Sequence, residues 1–265
     1  GGGVPHVLSR VLEVVVAFSY AFRCRTMPLM KHAILRPGMD MLRKFLRYSA
    51  PVLINETLWG TGFSMITVIM GHMANSSDLI AAYTLAGNID KLMTSGVFGI
   101  AAAVSVIVGK EIGTGNLKGV YNIGRALCFT AFAFGSMLGL AEYTMFVTLM
   151  RPFVMPLFSL SAVAGRLCSV MLMCYACAIP LHSFSTTMVV GVLRGGGDVN
   201  ASLFIDNVPL WCGTLPMMCL LGLVLKVPNE VFCLCLMIEY IIKSPIGLCR
   251  LHSGKWLHDI PRIDE

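Results

Sequence analysis

The chain alternates between long apolar runs and short polar stretches, and most of the runs are long enough to cross a bilayer. A helix needs about 20 apolar residues to span a hydrocarbon core about 30 Å thick. On that measure the pattern predicts seven helices: about Val4 to Phe22, Phe45 to Met70, Leu79 to Val108, Ala126 to Leu149, Val163 to Val192, Ala201 to Leu225 and Glu230 to Cys249. The first is shorter and carries Arg10 and Glu13. Pro180 falls inside the fifth, and Pro209 and Pro216 inside the sixth. Proline removes a backbone hydrogen bond and bends a helix. In membranes such breaks persist where a neighbour or a cavity satisfies the freed carbonyl. The expected fold class is therefore an all-α integral membrane protein, a bundle of about seven transmembrane helices.

Composition agrees. Hydrophobic residues make up 56% of the chain and charged residues 13%, about half the charge of an ordinary soluble domain. Mean hydropathy is +0.77. A β-barrel would show short alternating segments instead. The net charge of +6 does not indicate nucleic acid, because the basic residues gather between apolar spans. Arg23, Arg25, Lys31, Arg36, Arg43, Lys44 and Arg47 precede the second helix. Lys110, Lys118, Arg125, Arg194, Arg250, Lys255 and Arg262 follow the third, fifth and seventh, whereas the alternate loops hold only Arg151, Arg166 and Lys226. The basic side is expected to be cytoplasmic, with the C-terminus on that side. Trp256 beside Lys255 suits a tail at that interface. No cofactor is implied. The pairs Cys174/Cys177 and Cys233/Cys235 lack the second pair and loop of a zinc site and suit apolar packing. His182 near Cys177 changes this little. No Walker A loop is present, since Gly195-Gly196-Gly197-Asp198 lacks the required spacing.

The candidate chemistry lies in charges set inside apolar runs. Glu56, eight residues beyond Tyr48, lies about 12 Å into the bilayer at about 1.5 Å per residue. A charge at that depth costs on the order of 2.5 to 3.5 kcal/mol, so it is expected to face a cavity or a partner. With Asn55 before it and Trp59 and Gly60 after it, it offers a polar site with an aromatic wall, suited to a proton, a metal cation or an organic cation. The competing reading is a structural acid bonded to another helix. Asn88, Asp90 and Lys91 in the third helix are further cavity candidates, although pairing across helices, including Lys91 with Glu56, accounts for them equally well. Glu239 and Lys243, four apart, suit a structural pair within one helix. Asp206 suits a cap or a bond to Arg194, and Glu142 is expected near the outer face, within reach of water. The 18 methionines suit packing or lipid contact.

Four stretches together resemble the second half of a multidrug and toxic compound extrusion (MATE) transporter. They are Ala50-Pro51 with Asn55-Glu56 and Trp59; Val108-Gly109-Lys110-Glu111-Ile112-Gly113-Thr114-Gly115; Val192-Leu193-Arg194-Gly195-Gly196-Gly197-Asp198 followed by Asp206, Trp211 and Pro216; and Arg250 to Trp256, ending Ser253-Gly254-Lys255-Trp256. The resemblance implies twelve helices in two lobes and export of small cationic or amphipathic compounds by antiport with sodium ions or protons. It implies the following layout: 1–22 the last helix of the amino-terminal lobe, 23–44 a basic cytoplasmic linker, 45–252 the six-helix carboxy-terminal lobe, and 253–265 a cytoplasmic tail. Glu56 matches the glutamate implicated in cation coupling in some members. A second acid carried by some members falls here near Ser183. Most of the first lobe is missing, and the chain begins at Gly1, so a fragment or a disrupted frame is expected. The expected partners are the bilayer, the substrates and the missing lobe, and the expected location is the cell membrane. The alternatives are a non-transporting truncated membrane component and a related flippase for lipid-linked oligosaccharides.

Overall fold

A computed structural model describes residues 3–23, 38–115, 117–154 and 160–257. The first helix, α1, spans Gly3–Arg23. Then come α2, Met39–Gly71, α3, Ser76–Gly113, and α4, Leu117–Met145, which continues with wider turns through Phe146–Val154. The last three are α5, Ala162–Leu193, α6, Val199–Val224, and α7, Asn229–Ser253. Among the described residues no strand occurs, and six helices, α2 to α7, are long and apolar enough to cross a membrane. The chain divides into two compact units, Gly1–Ala50 and Pro51–Glu265. In the first, α1 exposes Val7, Val11, Val14 and Phe18 and carries one exposed pair, Arg10 to Glu13 at 2.7 Å.

Most predicted starts and stops lie within a few residues of the observed ones, but the fourth helix begins at Leu117 rather than Ala126, and the second start is informative. The second helix begins at Met39, not near Phe45. Arg43 and Arg47 therefore belong to a helical turn rather than to a linker, and the expected boundary at residue 45 falls inside α2. The linker residues Arg25, Lys31 and Arg36, and Arg262 of the tail, lie outside the described residues.

Proline and glycine shape the second unit. Pro209 has no N–H to give, and the hydrogen-bond ladder of α6 shifts to five-residue spacing there: the Leu215 N–H bonds Leu210 O. The same spacing recurs where Leu225 N–H bonds Leu220 O. Wide turns of this kind mark strained or functional stretches. Between α4 and α5 the backbones approach closely at Gly135 and Gly139. A Cβ on Gly135 would lie 2.9 Å from Ile179 O, and one on Gly139 would collide with Ala176 O. In a bilayer such small residues let van der Waals packing hold helices together. Ser183, fully buried, adds a hydrogen bond from its Oγ to Ala131 O at 2.7 Å.

Two apolar clusters form. One gathers Ile66, Met70, Leu79, Leu167, Met171 and Phe232, together with Cys168, Cys233 and Cys235. The other gathers Val104, Val108, Met188, Val192, Leu251 and Trp256. Trp256 is fully buried, enclosed by the bundle. It fits because Gly124 and Gly196 leave room for its ring, and its Nε1–H reaches Leu251 O at 3.2 Å. Nearby, Arg250 grips Asp198 Oδ2 through Nε at 2.8 Å and through a terminal nitrogen at 2.6 Å. Asp198 also caps α6.

Candidate functional site

Along α5, α6 and α7 polar residues are set in the stretches that separate the two apolar clusters. His182 lies between Leu172 and Phe184, Asp206 and Asn207 between Ile205 and Leu210, and Glu239 and Lys243 between Leu236 and Leu251. The helices bring these together with Asn55 and Glu56 of α2 and with Arg194 in the last turn of α5. Arg194 contacts Glu56 Oε1 at 2.8 Å and stands 3.9 Å from Asp206 Oδ2. Its Nε donates to Ser202 Oγ at 3.2 Å. Lys243 Nζ donates to Asp206 Oδ1 at 2.8 Å and to Glu239 Oε1 at 2.6 Å. Asn55 Nδ2 donates to Asp206 Oδ2 at 2.8 Å, and Asn207 Nδ2 donates to Asn55 Oδ1 at 2.6 Å.

Burial is graded across this cluster. The Lys243 and Glu239 side chains are 5% and 4% exposed, Asp206 and Arg194 are 14% and 17%, and Glu56 is 55%. A charge buried without partners is unaffordable in a low-dielectric interior, and each inner charge here has a partner. Three carboxylates face two basic groups. With all five ionised and His182 neutral, the cluster carries one negative charge in excess, and Glu56 is its accessible end.

Two cavities adjoin the cluster. The smaller, about 40 Å³, is bounded by Glu56, Asp206, Glu239 and Lys243 among others. The larger, about 370 Å³, is lined by Asn88, Asp90 and Lys91 with aromatic rings that include Phe63 and Tyr83. Trp59, Phe98, His182 and Tyr240 line both. Tyr240 and His182 stack at 4.7 Å, and Trp59 packs on Phe63 at 4.5 Å.

The predicted site residues thus fall around one region. Glu56, Asn55 and Trp59 lie at or beside the ionic cluster, while Asn88, Asp90 and Lys91 line the larger cavity. The suggested Lys91–Glu56 pair is not what forms: Arg194, 138 positions away in the chain, takes Glu56 instead. Glu239 and Lys243 do pair within α7, as their spacing predicts, but Lys243 also reaches across to α6. Asp206 approaches Arg194 as expected, yet its shorter bonds go to Lys243 and Asn55. Ser183 faces α4 and not the cavity. Glu142 is 1% exposed, not within reach of water as expected. Neither of its carboxylate oxygens has a hydrogen-bond partner among the described residues. The ionic cluster as a unit escapes sequence reading. Its one available signal is that Asp206 and Lys243 are ionisable residues inside apolar spans.

Residues 51–210 match the MatE family model. The chain is 22% identical over 261 residues to the probable multidrug resistance protein NorM of Thermotoga maritima, covering 97% of this chain and 53% of that protein. It is 25% identical over 187 residues to the probable multidrug resistance protein NorM of Bacillus cereus, covering 69% and 38%. The chain spans about half the length of the curated relatives it matches. Among solved structures, the outward-facing conformation of a multidrug resistance MATE family transporter superposes with a TM-score of 0.76 at 19% identity, covering 94% of this chain and 55% of that one. A MATE in complex with MaL6 superposes with a TM-score of 0.74 at 18% identity, covering 91% and 55%.

Proposed function

Because the chain belongs to the MatE family, whose matched members are transporters and not enzymes, we propose that it forms the carboxy-terminal lobe of a multi-pass exporter. In this reading the complete protein moves small cationic or amphipathic compounds out of the cell in exchange for sodium ions or protons. It works with an amino-terminal lobe, and its C-terminus is cytoplasmic because the basic residues gather on that side. The observation that carries the reading is Arg194, held between Glu56 at 2.8 Å and Asp206 at 3.9 Å.

A cation or proton arriving at Glu56 cancels the charge that holds Arg194. The guanidinium then moves toward Asp206, which already stands next to it. This shift draws α2 away from the α5–α6 turn, so ion binding favours one arrangement of the helices. Coupling requires such a difference in affinity between states. The larger cavity supplies the substrate side of the exchange, since Asp90 offers negative charge and Trp59, Tyr83 and Phe98 offer aromatic faces to an organic cation. The ion pair between Glu56 and Arg194 is therefore the latch, and its half-exposed acid is the entry point.

The test is Glu56→Gln in a two-lobe protein carrying this chain, assayed by ethidium efflux from vesicles under sodium and proton gradients. Ion-driven efflux is expected to disappear. Undiminished efflux by the mutant would refute the role of Glu56. A second reading is favoured by the length of the chain, about half that of its relatives: alone, it is a membrane component that transports nothing. Vesicles holding only this chain are then expected to show no gradient-driven efflux.

A further inference from the structure

The latch leaves Lys243 without a task. Its ammonium is the most deeply placed positive charge of the cluster, in the interior of a helix long enough to cross the membrane. It bonds carboxylates from two helices, Asp206 of α6 at 2.8 Å and Glu239 of α7 at 2.6 Å. An ammonium is a compact point charge, and here it stands where a metal ion held by those same oxygens would stand. Hard cations take oxygen ligands. Asn207 is 6% exposed, and its Oδ1 has no hydrogen-bond partner among the described residues. The amide nitrogen of the same residue donates to Asn55, which in turn donates to Asp206. The ring of Tyr240 lies 5.9 Å from the ammonium, with His182 stacked beyond it. Arg194 and Glu56 close the remaining side.

We propose that Lys243 is the specificity-determining residue of this lobe: its ammonium fills the seat between Asp206 and Glu239 and thereby excludes sodium from it. Its significance for transport rests on the export reading above, but the seat itself is a property of this chain. Lysine is tethered and cannot leave, so together with Arg194 it permanently balances the two inner carboxylates. Exchange is confined to Glu56, the outer acid. Removing the ammonium frees two carboxylates beside a cavity of about 40 Å³. A cavity needs only about 10 to 15 Å³ to admit a water, and a bare sodium ion is smaller than a water.

The experiment uses the 265-residue chain purified in detergent. Radioactive sodium retention and thermal unfolding are measured at neutral pH in sodium, potassium and choline chloride. A ligand that binds only the folded state raises the unfolding temperature with its concentration. The wild-type chain is expected to retain no sodium above the level of an Asp206→Asn variant and to unfold at the same temperature in all three salts. Lys243→Met is expected to retain sodium and to unfold at a temperature that rises with sodium but not choline. Adding Asp206→Asn should abolish both effects. Glu239→Gln with Lys243→Met removes an acid together with the base, and is read in the same way if the single variant does not fold. Sodium retention by the wild-type chain that Asp206→Asn abolishes would overturn the proposal. So would a folded Lys243→Met chain, helical by circular dichroism, that gains none. Failure of Glu56→Gln to impair efflux would instead count against the export reading and leave this result standing.

Discussion

Two acids of α6, eight residues apart, meet bases of α7 in different ways. Asp198 is gripped by Arg250 through two nitrogens, next to a buried tryptophan and at a helix start that it also caps. Asp206 shares Lys243 with Glu239, shares Arg194 with Glu56, and borders a cavity. The first arrangement holds a turn closed. The second offers two carboxylates to each base, so one partner can be exchanged without leaving a base unpaired. Ion pairing alone therefore says little about function. An excess of one sign beside open space says more.

The comparison sharpens into measurable differences. Asp206→Ala strips one partner from a buried lysine, and such a loss costs about 3 to 5 kcal/mol. Thermal unfolding in detergent should show a large drop, and a change below about 1 kcal/mol would mean that Glu239 alone satisfies Lys243. Asp198→Ala removes a charge-assisted contact and a helix cap together and should cost about 2 kcal/mol. In a two-lobe protein it should leave efflux per folded molecule unchanged, and loss of efflux there would erase the distinction between the two acids. The smallest effect belongs to the exposed Arg10–Glu13 pair of α1. Arg10→Ala should shift stability by less than about 0.5 kcal/mol, and a larger shift would show that the pair has partners beyond its own helix.

The helices were legible because lipid-facing spans need long apolar runs, and such runs are visible in any sequence. Glu56, Asn55 and Trp59 were legible for the opposite reason, as polar and aromatic residues clustered inside one run. Partners across helices were legible only in part: Asp206 with Arg194 was expected, whereas Arg194 with Glu56 and Lys243 with Asp206 were not. Spacing shows which residues share a face of one helix, but not how that face is turned toward the others. Hence Arg194 looked like a loop charge marking orientation, and Glu239 and Lys243 looked complete as a local pair. Glu142 was misplaced because hydropathy does not show which positions of α4 its neighbours cover. The packing of Trp256 was not legible because its pocket is made by two absent side chains, at Gly124 and Gly196, far away in the chain.

That tryptophan has a consequence for biosynthesis. Its ring completes the packing beside Gly124 and Gly196, yet it is translated well after both of them. While α4, α5 and α6 enter the membrane, the gap between them must stay unfilled. This end of the lobe can set only after residue 256 has been made, so a ribosome that stops short of it would release a bundle with an open seam.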